Sequence, residues 1–282
     1  MPLLFILLII LVLRSITLEG AYKGIKFYLF PDISKISPKV LISGMGQAFF
    51  SLSLGVGAML TYGSYLSKNE NIFKSSIWIV VADTSVAFFA GLIIFPSLFS
   101  LENVNVAAGP SLIFIVLPIV FYHLPFGIFF ETLFFILIII AAITSTISLL
   151  EIPVTYLIDE KKYSRKKATI LIGLLTFLLG IPSALSLGIY KTFTSFLKIF
   201  GGEKGFLEVL DIFFGHFSLS IGSLLLCLFI AYKLKFKEVI ENLNNPQKFK
   251  FEKLFKVFIS LICPLGIFIL ILFFILNPKE LG

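Results

Sequence analysis

Seven apolar runs follow one another along the chain, separated by short loops that hold most of the lysines. A bilayer crossing needs about 20 mostly apolar residues. Candidate crossings lie at 41–66, 75–100, 126–158, 168–189, 206–232 and 254–277, and a shorter run, MPLLFILLIILVL, occupies 1–13. Inside lipid no water can bond to a free peptide group, so these runs are expected to be helices that satisfy their own backbones. Composition agrees: 58% of residues are hydrophobic and 14% charged, with a mean hydropathy of +1.05. Soluble domains sit nearer half apolar and a quarter charged.

The net charge of +7 does not describe a nucleic-acid-binding face, because the lysines sit in loops between apolar runs. The loops 67–74, 159–167 and 233–256 carry 14 of the 23 lysines and arginines. The positive-inside rule places that set in the cytoplasm and the C-terminus outside. Cys227 and Cys263 both fall within apolar runs, so no disulfide framework or metal pattern can be built from them. His123 and His216 stand singly near run ends and read as interfacial or packed. Residues 1–13 lack the basic start and small-residue cleavage site of a signal peptide. They read as the outer part of a helix whose first half is missing. GPSLIFIVLP (109–118) is too short to span and reads as a short helix dipping over the outer face.

Three spans carry polar groups that lipid alone would not tolerate. The span at 41–66 holds Ser51, Ser53, Gly55 and Gly57, with Gln47 one turn above. Glycines weaken a helix interior, and freed backbone groups survive in a membrane only where they line a polar cavity or bind something. A broken helix fits this pattern, and so does a small-residue packing face. Asp83 lies about a third of the way into its span, where a carboxylate costs roughly 2.5–3.5 kcal/mol on insertion scales. It is expected to meet a cation in the bundle interior; snorkelling or protonation is the alternative. Ala141, Thr144, Ser145 and Ser148 share one face of the 126–158 helix. Hydroxyl and carbonyl oxygens suit an alkali cation, although hydroxyls also bond back to their own helix. Glu151 and Asp159 read as charges at the cytoplasmic end of that helix, and Asp211 has no basic neighbour in FLEVLDIFF.

The blocks GQAFFSLSLGVGAMLTYGSY, VADTSVAFFAGLIIFP, GPSLIFIVLP and AAITSTISLLE, in this order and spacing, resemble the neurotransmitter:sodium symporter family across essentially the whole chain. The resemblance implies an all-α polytopic membrane protein of the cell membrane. Its fold would be a partial inverted-repeat transporter fold of the bacterial leucine-transporter type, with about seven transmembrane helices. It aligns the chain with the family's helices five to eleven, in a single transmembrane domain over 1–282, with helices one to four absent. Ser51 and Asp83 would line a first sodium site; Ala141, Thr144 and Ser145 a second. Phe50, Ser51, Ser53, Val56 and Leu149 would surround the substrate side chain, with Phe50 as an outer lid. Asp211 would belong to the outer gate and Asp159 to the inner gate, which Tyr65 and Ser64 would support.

Two departures from the family pattern stand out. Val56 replaces an aromatic residue and implies a roomier pocket. Asp83 replaces an asparagine, so its carboxylate would balance sodium in place of chloride, and chloride is not expected as a cofactor. The implied function is sodium-coupled symport of an amino acid or related small zwitterion, with a separately encoded N-terminal half as a candidate partner. The alternative is a truncated or accessory membrane protein with no transport of its own. No nucleophile–base pair, phosphate loop or metal cluster marks an enzyme.

Overall fold

The computed structural model describes residues 2–67, 69–100, 112–122, 125–188, 190–199, 202–234, 236–243 and 250–277. The chain divides into two compact units, Met1–Ile36 with Trp78–Thr146, and Ser37–Ile77 with Ile147–Gly282.

In the first unit, α1 (Pro2–Ile16) buries Leu4, Leu7, Leu8, Leu11 and Ser15. The spacing of three and four puts all five on one stripe. That stripe packs against Ile93 of α5 (Ile72–Phe99) and against Leu117 and Phe121 of a short apolar helix, α6 (Leu112–Tyr122). It also meets Phe134 and Leu137 of α7 (Gly127–Asp159). Between α1 and α2 (Ala21–Leu29) the chain bends by 116°, and Gly20 at the bend has φ 81°. A left-handed residue here favours glycine, which has no Cβ to clash. Pro96 interrupts the hydrogen-bond ladder of α5. Nearby, the Ser15 hydroxyl donates to the Ile93 carbonyl at 2.8 Å and pairs with the Ser97 hydroxyl at 3.0 Å. The Ser15 hydroxyl thus finds its partners inside the protein, where lipid could supply none.

The second unit opens with α3 (Pro38–Ser51). Ser37 caps it, accepting from the Val40 N–H, and Pro38 follows at the first turn, where a missing N–H costs nothing. After a break comes α4 (Ala58–Ser64). Asn71 caps α5 by accepting from the Lys74 N–H at 2.8 Å. Beyond α7 lie α8 (Arg165–Leu185), a small hairpin of β1 (Leu197–Ile199) and β2 (Gly202–Lys204), α9 (Phe206–Lys233), α10 (Phe236–Leu243) and α11 (Glu252–Leu276). Ile212 of α9 packs with Leu270 and Phe274 of α11 and with Phe49 of α3.

Among the described residues, α5, α7, α8, α9 and α11 are the five helices long and apolar enough to span without interruption. Each falls within a few residues of an expected run. The expected span at 41–66 is divided into α3 and α4 by its break, and the expected short run at 1–13 leads into the bent α1–α2 pair. The expected short helix at 109–118 is found from Leu112, its first residues lying outside the described ones. His123 also lies outside them.

Candidate functional site

The break between α3 and α4 is a true change of backbone, and it decides what the surrounding residues can do. Leu54 N–H still bonds to the Phe49 carbonyl at 3.0 Å, and Ser53 N–H to Phe50 at 3.0 Å. Three left-handed residues follow in alternation: Ser53 (φ 52°), Gly55 (φ 84°) and Gly57 (φ 96°). The helix restarts when Thr61 N–H reaches the Gly57 carbonyl at 2.9 Å. Gly55 is pressed onto α9. A Cβ added to it would lie 2.1 Å from the Leu219 carbonyl oxygen, and one added to Gly222 would lie 2.3 Å from the Gly55 carbonyl oxygen. Glycine on both sides is therefore a condition of the contact. The broken-helix and close-packing readings of this sequence are both realised, in one place.

Phe50, Ser51, Ser53, Val56 and Leu149 all belong to the second unit. Phe50 is 55% exposed and Leu149 50% exposed, so neither takes part in the unit's core. Asp83 belongs to the first unit and is half-buried on α5. Ser51, its expected partner, lies in the other unit. Ala141, Thr144 and Ser145 lie together on α7 in the first unit. The Thr144 hydroxyl donates to the Ala141 carbonyl at 2.9 Å. This is the back-bond that is the alternative to a cation site, and it holds a hydroxyl and a carbonyl oxygen at one locus. Oxygens of this kind, with a carboxylate elsewhere, match an alkali cation in donor chemistry.

A hydroxyl–carboxylate ladder joins α4 to the second-unit part of α7. Tyr62 Oη donates to Ser148 Oγ at 2.7 Å. One turn on, Tyr65 Oη donates to Glu151 Oε1 at 2.7 Å and lies 2.9 Å from Thr155 Oγ1. The Arg165 guanidinium donates to both Glu151 oxygens, at 2.9 and 2.8 Å. Glu151 is well shielded, with 15% of its side chain exposed, while Arg165 is 66% exposed. From the sequence alone Glu151 reads as an interfacial charge and Arg165 as a mark of topology. The signal that could have found them is the spacing: Ser148, Glu151 and Thr155 share one helix face, and Tyr62 on α4 is three residues from Tyr65 at its C-cap. Asp159, the expected inner-gate acid, is exposed at the end of α7 and does not join this cluster among the described residues.

Asp211 does acquire a basic neighbour. Residues 211–218 form a π-helical segment, which stacks position i over i+5. His216 Nε2 accordingly lies 3.5 Å from Asp211 Oδ2, and the His216 ring also packs edge-on against Phe274. An ordinary α-helical reading of FLEVLDIFF could not have made that pair. Among the described residues, no group of three or more His, Cys, Asp or Glu side chains could hold a metal ion.

The sequence also has recognisable relatives. The model of the sodium:neurotransmitter symporter family matches residues 1–282. An uncharacterised sodium-dependent transporter, YhdH of Bacillus subtilis, is 43% identical over 247 residues, covering 87% of this chain and 53% of the relative. An uncharacterised sodium-dependent transporter of Haemophilus influenzae is 40% identical over 271 residues, 96% of this chain and 58% of its own. The crystal structure of MhsT in complex with L-phenylalanine superposes with a TM-score of 0.85 at 37% identity, covering 96% of this chain and 60% of that one. The chain thus spans between half and two thirds of the length of these proteins. The match to a transporter family rather than an enzyme family agrees with the spanning helices of a multi-pass membrane protein. On these grounds the chain belongs to the sodium:neurotransmitter symporter family.

Proposed function

We propose that the chain forms part of a sodium-coupled symporter for an amino acid or related small zwitterion, corresponding to the family's helices five to eleven. The observation that carries the proposal is the alternating left-handed break at Ser53, Gly55 and Gly57, within an apolar stretch that the sequence reads as a membrane span. Such a break frees carbonyl and N–H groups that lipid cannot satisfy, and transporters of this architecture use these groups to hold ions and substrate near the bilayer midplane.

Phe50, Ser51, Ser53, Val56 and Leu149 would contact the substrate. Ser51 and Asp83 would serve one sodium ion; Ala141, Thr144 and Ser145 would serve another. Asp211 on the outer side would act as a gate, with Asp159 and Tyr65 on the inner side. The hydrogen-bonded cluster of Tyr65, Glu151 and Arg165 supports the inner assignment of Tyr65, because it ties α4 to α7 on the lysine-rich side. Chloride is not required in this reading, since Asp83 carries the balancing charge itself.

L-phenylalanine, the amino acid in the MhsT complex, is the first substrate to test. The chain is co-expressed with a segment supplying helices one to four, and radiolabelled uptake is measured with sodium or choline outside. Uptake that appears only with both pieces and only in sodium is the expected result. Loss of uptake when gluconate replaces chloride would overturn the role given to Asp83. Uptake in neither cation, with both pieces present in the membrane, would favour an accessory protein without transport.

A further inference from the structure

The loop between α7 and α8 turns through Lys162, which takes a left-handed φ of 55°. It closes where Tyr163 N–H donates to the Leu157 carbonyl at 3.1 Å. After Tyr163, Lys166, Lys167, Ile170, Leu171 and Leu174 follow at spacings of three and four, so they fall on one face of α8. With Tyr163 they line a groove of about 550 Å³, wholly within the second unit. Its two ends differ in chemistry. Lys166 and Lys167 stand nearest the loop, and Ile170, Leu171 and Leu174, all exposed, make the rest. The Lys167 ammonium lies 4.4 Å from the centre of the Tyr163 ring, which holds it at the head of the groove. Arg165 is committed to Glu151. Among the described residues, no carboxylate lies within ion-pair distance of Lys166 or Lys167. The apolar stripe continues through the exposed Phe177 and Leu178. From Lys167 to Leu178 a helix rises about 16 Å, close to half of the roughly 30 Å hydrocarbon core of a bilayer.

We infer that this groove binds one anionic phospholipid of the leaflet on the lysine-rich side, with its phosphate on Lys166 and Lys167 and one acyl chain along Ile170, Leu171 and Leu174. Two positive charges above an apolar channel one leaflet deep complement a negative headgroup that carries a chain. They do not complement a second copy, because two copies related by an axis along the membrane normal would set four lysines at one depth, facing one another. Binding stands independently of the transport reading.

The chain is purified in a neutral detergent and titrated with dioleoylphosphatidylglycerol or dioleoylphosphatidylcholine, and native mass spectrometry counts the lipids and copies in each complex. The first phosphatidylglycerol is expected to bind about 25-fold tighter than the first phosphatidylcholine, at about 5-fold for each lysine beside an anionic lipid. Lys166→Gln with Lys167→Gln should remove that preference. Lys191→Gln with Lys198→Gln, which removes the same charge outside the groove, should keep it. Leu171→Trp, which fills the groove and leaves both lysines, should weaken phosphatidylglycerol binding. An excess of inorganic phosphate should leave the lipid in place, because phosphate has no chain for the apolar part. Equal loss in the two double variants would reduce the preference to net charge, and displacement by phosphate would make the lysines a free-anion site. A dimer that excludes the lipid would give the groove to a second copy, and loss of the site on co-expression with a segment supplying helices one to four would show protein filling it. Each of these results would overturn the inference.

Discussion

Replacing Gly55 with alanine tests the contact on which the break depends. The new Cβ would lie 2.1 Å from the Leu219 carbonyl oxygen, 2.5 Å from Ser223 Oγ and 2.9 Å from Ser223 N. Two of these atoms are α9 backbone, so rotating a side chain does not relieve the clash. Holding alanine at φ 84° adds a left-handed penalty of roughly 1–2 kcal/mol. Displacing a packed helix adds about 1–3 kcal/mol more. Together these give about 2–5 kcal/mol, which at roughly 2 °C per kcal/mol for a domain of this size lowers the thermal midpoint by about 4–10 °C. The assay is thermal unfolding of the purified chain in detergent, followed by reaction of Cys227 and Cys263 with a fluorogenic maleimide. Gly173→Ala on α8 is the control. Nothing lies within 4 Å of its added Cβ, and alanine's higher helix propensity is worth about 1 kcal/mol. Its midpoint should hold or rise by about 2 °C. A Gly55→Ala midpoint within 2 °C of the native chain would refute the reasoning about both the clash and the backbone.

Three further outcomes follow from other contacts. Tyr65→Phe and Glu151→Gln should be coupled in a double-mutant cycle of thermal stabilities by about 1 kcal/mol, because one removes a hydrogen bond whose charge assistance the other removes; strict additivity would separate the two residues. Arg165→Ala should destabilise by about 1–2 kcal/mol, since it leaves a shielded carboxylate short of a donor, and Arg165→Gln should recover part of that loss. A Gln variant no better than Ala would place the effect in charge alone. Ser15→Ala should cost about 0.6–1.7 kcal/mol, the range for hydrogen bonds between membrane helices. Ser97→Ala should cost less, because the Ile93 carbonyl keeps its donor; the reverse ranking would contradict the role given to Ser15.

Most of the helical plan is legible in the sequence, because a bilayer imposes its thickness directly on run length. The ends of α5, α7, α8, α9 and α11 fall within a few residues of the apolar runs for that reason. The break is legible too, since Ser53, Gly55 and Gly57 weaken a helix wherever they stand. The His216–Asp211 pair was not, because pattern reading assumes 3.6 residues per turn and a π-helical segment pairs i with i+5. Glu151 and Arg165 were not, because two charges 14 positions apart identify each other only once α8 is laid beside α7.

By itself the sequence determined the solvent, the number and ends of the apolar helices, the place where one of them breaks, and the family. Those properties depend on residue-by-residue transfer from water to lipid and on local backbone preference. Only the tertiary structure decided that Gly55 must be glycine for the sake of α9 as well as for its own φ. It alone joined Tyr65 and Arg165 at Glu151. Each of these depends on which helix faces come within a few ångströms of one another, and helix packing sets that distance through side chains far apart in the chain.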